Sequence, residues 1–84
     1  MSGEALDLSG LVRTLVEPIV DYPDDLEVTQ NEGEQGDYLV EIRVNEEDAG
    51  KVIGRQGRVI KAIRTLARAA ATRDARHVEV EIVD

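Results

Sequence analysis

Apolar residues recur along this chain with two periods, and the change from one to the other marks out the elements. Leu8, Leu11, Val12, Leu15, Val16 and Ile19 follow the i, i+3, i+4, i+7 spacing of an amphipathic helix, with Asp7 placed to cap it. Pro18 excludes the backbone bond to Thr14, so this helix is expected to kink or end there. Tyr22-Pro23-Asp24-Asp25 reads as a turn. Leu26 and Val28 then open a short strand, and the polar, glycine-containing segment from Asn31 to Asp37 reads as a hairpin loop. The next strand alternates, with Tyr38, Val40, Ile42 and Val44 on one face and Leu39, Glu41 and Arg43 on the other. Asn45 with Asp48 three residues later resembles a capping box, so a helix is expected from Glu46. A second, longer helix follows from Arg58, with Val59, Ile63, Leu66 and Ala70 as its apolar stripe. The segment from Thr72 to Arg76 turns into a last strand, which points Val78, Val80 and Ile82 inward and Glu79 and Glu81 outward.

The predicted order is therefore α-β-β-α-α-β, an α+β fold. The first two strands pair as an antiparallel hairpin. The last returns through a two-helix crossover and lies parallel to the strand it left. Three helices then cover one face of a mixed three-stranded sheet. At 84 residues, the chain has room for one domain, spanning 1–84. It shows no basic amphipathic leader, long apolar run or secretory signal, so a soluble, cytoplasmic protein without a membrane partner is expected.

Composition narrows the chemistry. With no cysteine, disulfides, thiolate metal sites and cysteine nucleophiles are excluded together. One histidine and two serines leave little for nucleophilic or histidine-based acid–base catalysis, and neither enzyme activity nor a cofactor is expected. Glu46, Glu47 and Asp48 occupy a helix first turn, where the dipole favours carboxylates, and nothing nearby supplies a nitrogen ligand. They read as helix-start charges rather than a metal or general-base cluster. His77, alone at a strand entrance, reads as structural or solvated.

The net charge of −8 conceals a sharp division. Residues 1–50 sum to −12, residues 51–76 to +7 and residues 77–84 to −3. Attraction of a polyanion depends on local field more than on total charge, so the basic block is the candidate binding region. Within it, Gly54-Arg55-Gln56-Gly57 separates the two helices. Glycine tolerates positive φ and close backbone approach. A helix beginning directly after such a turn presents unpaired N–H groups and partial positive charge to an anion. Lys51, Arg55, Arg58 and Lys61 surround the turn. Arg58 sits at a helix N-terminus, where the dipole opposes a cation, a placement that makes sense if an anion docks between them. Arg64 and Arg68 lie nearly opposite the expected apolar stripe and read as ordinary surface charge. Gly50 permits either close packing against the next helix or room for a base or ribose.

The stretch Lys51-Val52-Ile53-Gly54-Arg55-Gln56-Gly57-Arg58-Val59-Ile60-Lys61 resembles the GXXG core of K-homology (KH) domains, which clamp about four nucleotides of single-stranded RNA at that loop. Nearly the whole chain is similar to the small bacterial single-KH-domain RNA-binding proteins of the KhpA type, and its element order is that of a type II KH fold. The resemblance implies single-stranded RNA as partner. Backbone N–H groups of the Gly54–Gly57 loop, aided by Lys51, Arg55 and Arg58, are expected to hold phosphates, with Gln56 at the loop tip and Lys61 one turn away as a further phosphate candidate. Val52, Ile53 and Ile60, with Val44 as a weaker candidate, are expected to form an aliphatic groove floor. The resemblance further implies a homodimer, or a heterodimer with a Jag/KhpB-like KH protein, in a post-transcriptional or RNA-chaperone role tied to cell shape and division. The alternative is a KH-like protein-interaction or ribosome-assembly module with little RNA binding of its own. With no Phe or Trp, and Glu41, Arg43, Glu79 and Glu81 facing outward, the sheet lacks the stacking platform of sheet-based RNA readers.

Overall fold

The computed structural model describes residues 6–72 and 76–83. The turn expected over 72–76 falls largely on residues 73–75, which lie outside the described residues. Helix α1 runs Leu8–Val16. Asp7 caps it, its Oδ1 accepting from Gly10 N at 2.9 Å and from Ser9 Oγ at 3.0 Å. A second cap comes from across the fold: Gln30 Oε1 accepts from the amides of Leu8 and Ser9 at 2.8 and 2.9 Å, while its Nε2 donates to the Leu6 carbonyl at 2.7 Å. The helix stops just before Pro18, which therefore ends it rather than kinking it.

A 3-10 turn over Pro23–Asp25 leads into β1 (Glu27–Glu32), which pairs antiparallel with β2 (Tyr38–Arg43). The hairpin loop is tighter than the polar run from Asn31 to Asp37, because β1 continues to Glu32 and Gly33 N bonds to the Asp37 carbonyl at 2.7 Å. After the two-helix crossover, β3 (Val78–Val83) lies parallel to β2, with Tyr38 opposite Val78 and Val40 opposite Val80. The order β1-β2-β3 leaves β2 in the centre and β3 at an edge. Alternation places Tyr38, Val40, Ile42, Val78 and Val80 in one core with Leu8, Val12 and Val16 of α1.

Between β2 and β3 come a 3-10 turn (Glu46–Asp48), the five-residue α2 (Ala49–Ile53), another 3-10 turn (Arg55–Gly57) and α3 (Arg58–Ala71). Asn45 caps the first of these, accepting from Glu47 N at 2.8 Å, but Asp48 does not complete a capping box. Its side chain turns inward and is fully buried.

The apolar stripe of α3 is rotated from the expected one. Ile60, Ile63, Ala67 and Ala71 are buried, Val59 and Ala70 are partly so, and Leu66 is 48 % exposed. Apolar residues cover more than half the circumference of this helix, so periodicity alone leaves its phase open. The small Ala67 and Ala71 go inward because their side chains let the helix approach the core closely. The rotation carries Arg64 and Arg68 to the flank over β3, where Arg64 Nε donates to the Val80 carbonyl at 3.1 Å and Arg68 Nε to the Val78 carbonyl at 3.4 Å. They are edge-strand caps rather than ordinary surface charge, and they occupy acceptors that another strand would need.

Candidate functional site

Backbone geometry defines the site before any side chain does. Helix α2 closes with Gly54 N bonded to the Gly50 carbonyl at 2.9 Å. Gly54 then takes φ 79°, ψ 171°, a region essentially restricted to glycine. Gln56 follows at φ 58°, ψ 25° and Gly57 at φ 75°, ψ 17°. Among the described residues, Gln56 is the one non-glycine with positive φ. Gly57 N bonds back to the Gly54 carbonyl at 3.1 Å and Arg58 N to that of Arg55, while the amides of Arg55 and Gln56 have no hydrogen-bond partner among the described residues. No side chain caps the N-terminus of α3. The loop tip therefore carries unpaired donors at the positive end of a 14-residue helix.

The side chains divide into three groups. Arg55, Gln56, Arg58 and Lys61 are exposed. Arg58 Nη2 donates to Gln56 Oε1 at 3.3 Å, and neither Arg55 nor Lys61 has an ion pair among the described residues. Val52 is fully buried and Ile60 is 6 % exposed, so both are core rather than groove floor. Ile53, 42 % exposed, is the groove candidate beside the loop that reaches the surface. Lys51 points to the other side of α2, where it pairs with Asp21 and lies 3.5 Å from Asp48 Oδ1. The Asp21 hydrogen bond is the main cause holding its ammonium pKa above the ordinary value.

Two depressions lie on the elements that carry the loop, one at the start of α2 and one along α3. One of about 370 Å³ is lined by Val44, Glu46, Ala49 and Val83. On the neighbouring turn of α2, a Cβ added to Gly50 would meet nothing within 4 Å, so close packing does not account for this glycine. The other, about 490 Å³, runs between α3 and β3 and is lined by Lys61, Arg64, Thr65, Arg68 and Glu79. A hydrogen bond from His77, with the charges of His77, Arg68 and Arg64 behind it, outweighs desolvation and keeps the Glu79 carboxyl below its ordinary pKa. The open face of the sheet is acidic: Glu41 lies beside Glu81 in the β2–β3 register, and Glu27 pairs with Arg43 at 3.9 Å.

Residues 9–82 match the family model described as "KhpA/KhpB, KH domain". The chain belongs to the KhpA/KhpB family of KH domains. It is 48 % identical over 73 residues to the RNA-binding protein KhpA of Caldanaerobacter subterraneus subsp. tengcongensis, covering 87 % of this chain and 96 % of that protein. Identity to the RNA-binding protein KhpA of Leifsonia xyli subsp. xyli is 51 % over 70 residues, covering 83 % and 88 % of the two chains. For the RNA-binding protein KhpA of Bacillus subtilis the figures are 43 % over 77 residues, 92 % and 94 %. Among solved structures, the fold is similar to Era in complex with MgGDPNP and nucleotides 1506–1542 of 16S ribosomal RNA, with a TM-score of 0.63 at 22 % identity. That match covers 96 % of this chain and 32 % of Era. Aquifex aeolicus Era bound to GDP·AlF4⁻ matches with the same score and identity, over 93 % of this chain and 31 % of that one. The KH domain here thus has the type II fold, on about a third of Era's length.

Among the described residues, no helix is long and apolar enough to cross a membrane, and no group of three His, Asp or Glu side chains is arranged to hold a metal ion.

Proposed function

We propose that this KhpA/KhpB-family domain binds single-stranded RNA without catalysis, through the Gly54–Gly57 loop. The observation that carries this reading is the pair of unpartnered amides at Arg55 and Gln56, set between exposed Arg55, Arg58 and Lys61 at the start of α3. A phosphate accepts from the two amides and is held by the surrounding cations. Ile53 and the Val44, Ala49 and Val83 side of the depression offer bases an aliphatic surface, with Glu46 the one charged group that lines it, and sequence stringency is low. The names of the KhpA relatives support RNA as the ligand. Titration of a short labelled single-stranded RNA at increasing salt tests the reading. With three cations at the phosphates, log K is expected to fall against log salt with a slope of about −2, at about 0.7 per contact. Binding that ignores salt, or no binding, favours a protein-interaction module instead.

One site of this size binds weakly, and two on one RNA gain through effective concentration. The protein accordingly acts as a cytoplasmic homodimer, or with a Jag/KhpB-like KH partner, in post-transcriptional regulation or RNA chaperoning. The exposed Ala62, Leu66 and Ala69, on the flank of α3 away from Arg64 and Arg68, support this pairing. Sedimentation equilibrium at micromolar concentration is expected to give the dimer mass, and Leu66→Asp the monomer mass. A strict monomer that binds RNA tightly contradicts the pairing but leaves the loop assignment standing.

A further inference from the structure

We infer that Lys51 is not a phosphate ligand but the counter-ion of a buried carboxylate latch, centred on Asp48, that fixes α2 and with it the glycine loop. The functional half of this inference rests on the loop reading above. The latch joins two segments far apart in sequence. Asp48 is fully buried, and both of its oxygens are engaged: Oδ1 accepts from Asp21 N and Oδ2 from Tyr22 N, each at 3.0 Å. These amides belong to the connector between α1 and β1. Burial by itself raises the carboxyl pKa, but the two amides and then Lys51 outweigh it and hold the group below its ordinary value, so it remains charged. A buried charge needs a partner, and Lys51, one turn along, supplies it at 3.5 Å while also pairing with the Asp21 carboxylate. Asn45 Nδ2 donates to Asp25 Oδ2 at 2.9 Å, and Tyr22 OH lies 3.5 Å from Glu47 Oε1, which extends the seam on both sides.

The seam matters because of what it holds. Helix α2 has five residues, far below the length at which a helix is stable alone, so tertiary contacts set its position. Val52 anchors its apolar side in the core and the Asp48–Lys51 pair anchors its polar side. Gly54 follows directly, so any tilt of α2 displaces the amides of Arg55 and Gln56. The electrostatics also separate Lys51 from the other cations. Asp21, Asp48 and Lys51 together carry one net negative charge, whereas Arg55 and Lys61 are without a carboxylate partner among the described residues. An ammonium held between two carboxylates offers little to a phosphate. Lys51 is thus a positioning residue, and its effect on RNA binding is indirect.

Two readouts on Lys51→Gln, Lys51→Arg and Arg55→Gln proteins test this. The first is the salt dependence of binding to a short single-stranded RNA. Arg55→Gln lowers the magnitude of the slope by about 0.7, the loss of one phosphate contact. Lys51→Gln is expected to weaken binding several-fold at every salt concentration with the wild-type slope, and Lys51→Arg to restore affinity. The second is amide hydrogen exchange in the free protein, which Lys51→Gln is expected to accelerate at Asp21, Tyr22 and Gly54. Lys51 is 42 % exposed at its side chain, so the substitution leaves the core in place. A slope lowered as much as in Arg55→Gln makes Lys51 a phosphate ligand and overturns the proposal, as does wild-type affinity in Lys51→Gln. Should the wild-type protein show no salt-dependent RNA binding, the loop reading fails and exchange alone decides the latch: acceleration at Asp21 and Tyr22 upholds it, and wild-type rates overturn it.

Discussion

Replacing Gly54 with alanine is expected to destabilise the domain by about 3 kcal/mol or more, whereas Gly57→Ala costs about 1–2 kcal/mol. The two glycines of the loop look equivalent in the sequence, but they do different work. Gly54 occupies the φ 79°, ψ 171° region that side chains essentially never enter, a strain of about 1–3 kcal/mol for any other residue. A Cβ there would also lie 2.8 Å from Val59 N and from Val59 Cβ, so part of the obstacle is helix backbone that has no room to move aside. Gly57 has ordinary left-handed geometry, and its added Cβ would meet only the flexible Lys61 side chain at 3.8 Å. Gln56 already tolerates the same left-handed region next door. For a domain of this size 1 kcal/mol moves Tm by about 4–8 °C, so Gly54→Ala is expected to lower it by roughly 12–24 °C and Gly57→Ala by a third to two-thirds of that. Thermal denaturation followed by circular dichroism measures both. Equal losses for the two would mean that the loop backbone differs from the one described.

The contrast bears on what the sequence discloses. Strand faces were legible because alternation assigns Tyr38, Val40, Ile42, Val78 and Val80 to one side without ambiguity, and that side is the core. The start of α1, the end of α2 and the start of α3 were legible from Asp7, Gly54 and Gly57, each of which constrains the backbone at its own position, whereas the helix expected from Glu46 begins as a 3-10 turn and becomes α-helical only at Ala49. The phase of α3 was not, because Val59, Ile60, Ile63, Leu66, Ala67, Ala70 and Ala71 allow several stripes and the choice depends on how close the helix comes to the sheet. Arg64 and Arg68 followed the phase error. Placing them opposite the stripe hid their role on the carbonyls of Val80 and Val78.

The geometry of the candidate site was legible in its loop and less so in its surroundings. Arg55, Gln56, Arg58 and Lys61 lie at the surface where the charge pattern places them, and Val52 and Ile60 do not. Apolar residues beside a loop serve groove and core equally well as far as composition goes. In the sequence Asp48 looks like one of three first-turn carboxylates, since its partners are backbone amides 26 and 27 residues away that carry no sequence signal. The one local hint was the Asp48–Lys51 spacing of three, which puts the charges on one face of a helical turn.

The central claim is that RNA docks on the loop tip, and substitution of both Arg55 and Gln56 by aspartate tests it most directly. Both side chains are exposed, and aspartate tolerates the left-handed conformation required at position 56, so the fold is expected to survive with little change in Tm. The aspartate introduced at 56 can still accept from Arg58, as Gln56 Oε1 does at 3.3 Å. The loop tip, by contrast, loses a cation and gains two negative charges beside its two unpaired amides. Titration of a short labelled single-stranded RNA is therefore expected to show saturable binding by the wild-type protein and none by the doubly substituted one, with superimposable circular dichroism spectra. Wild-type affinity in the folded double variant would contradict the account and remove the Gly54–Gly57 loop from RNA recognition.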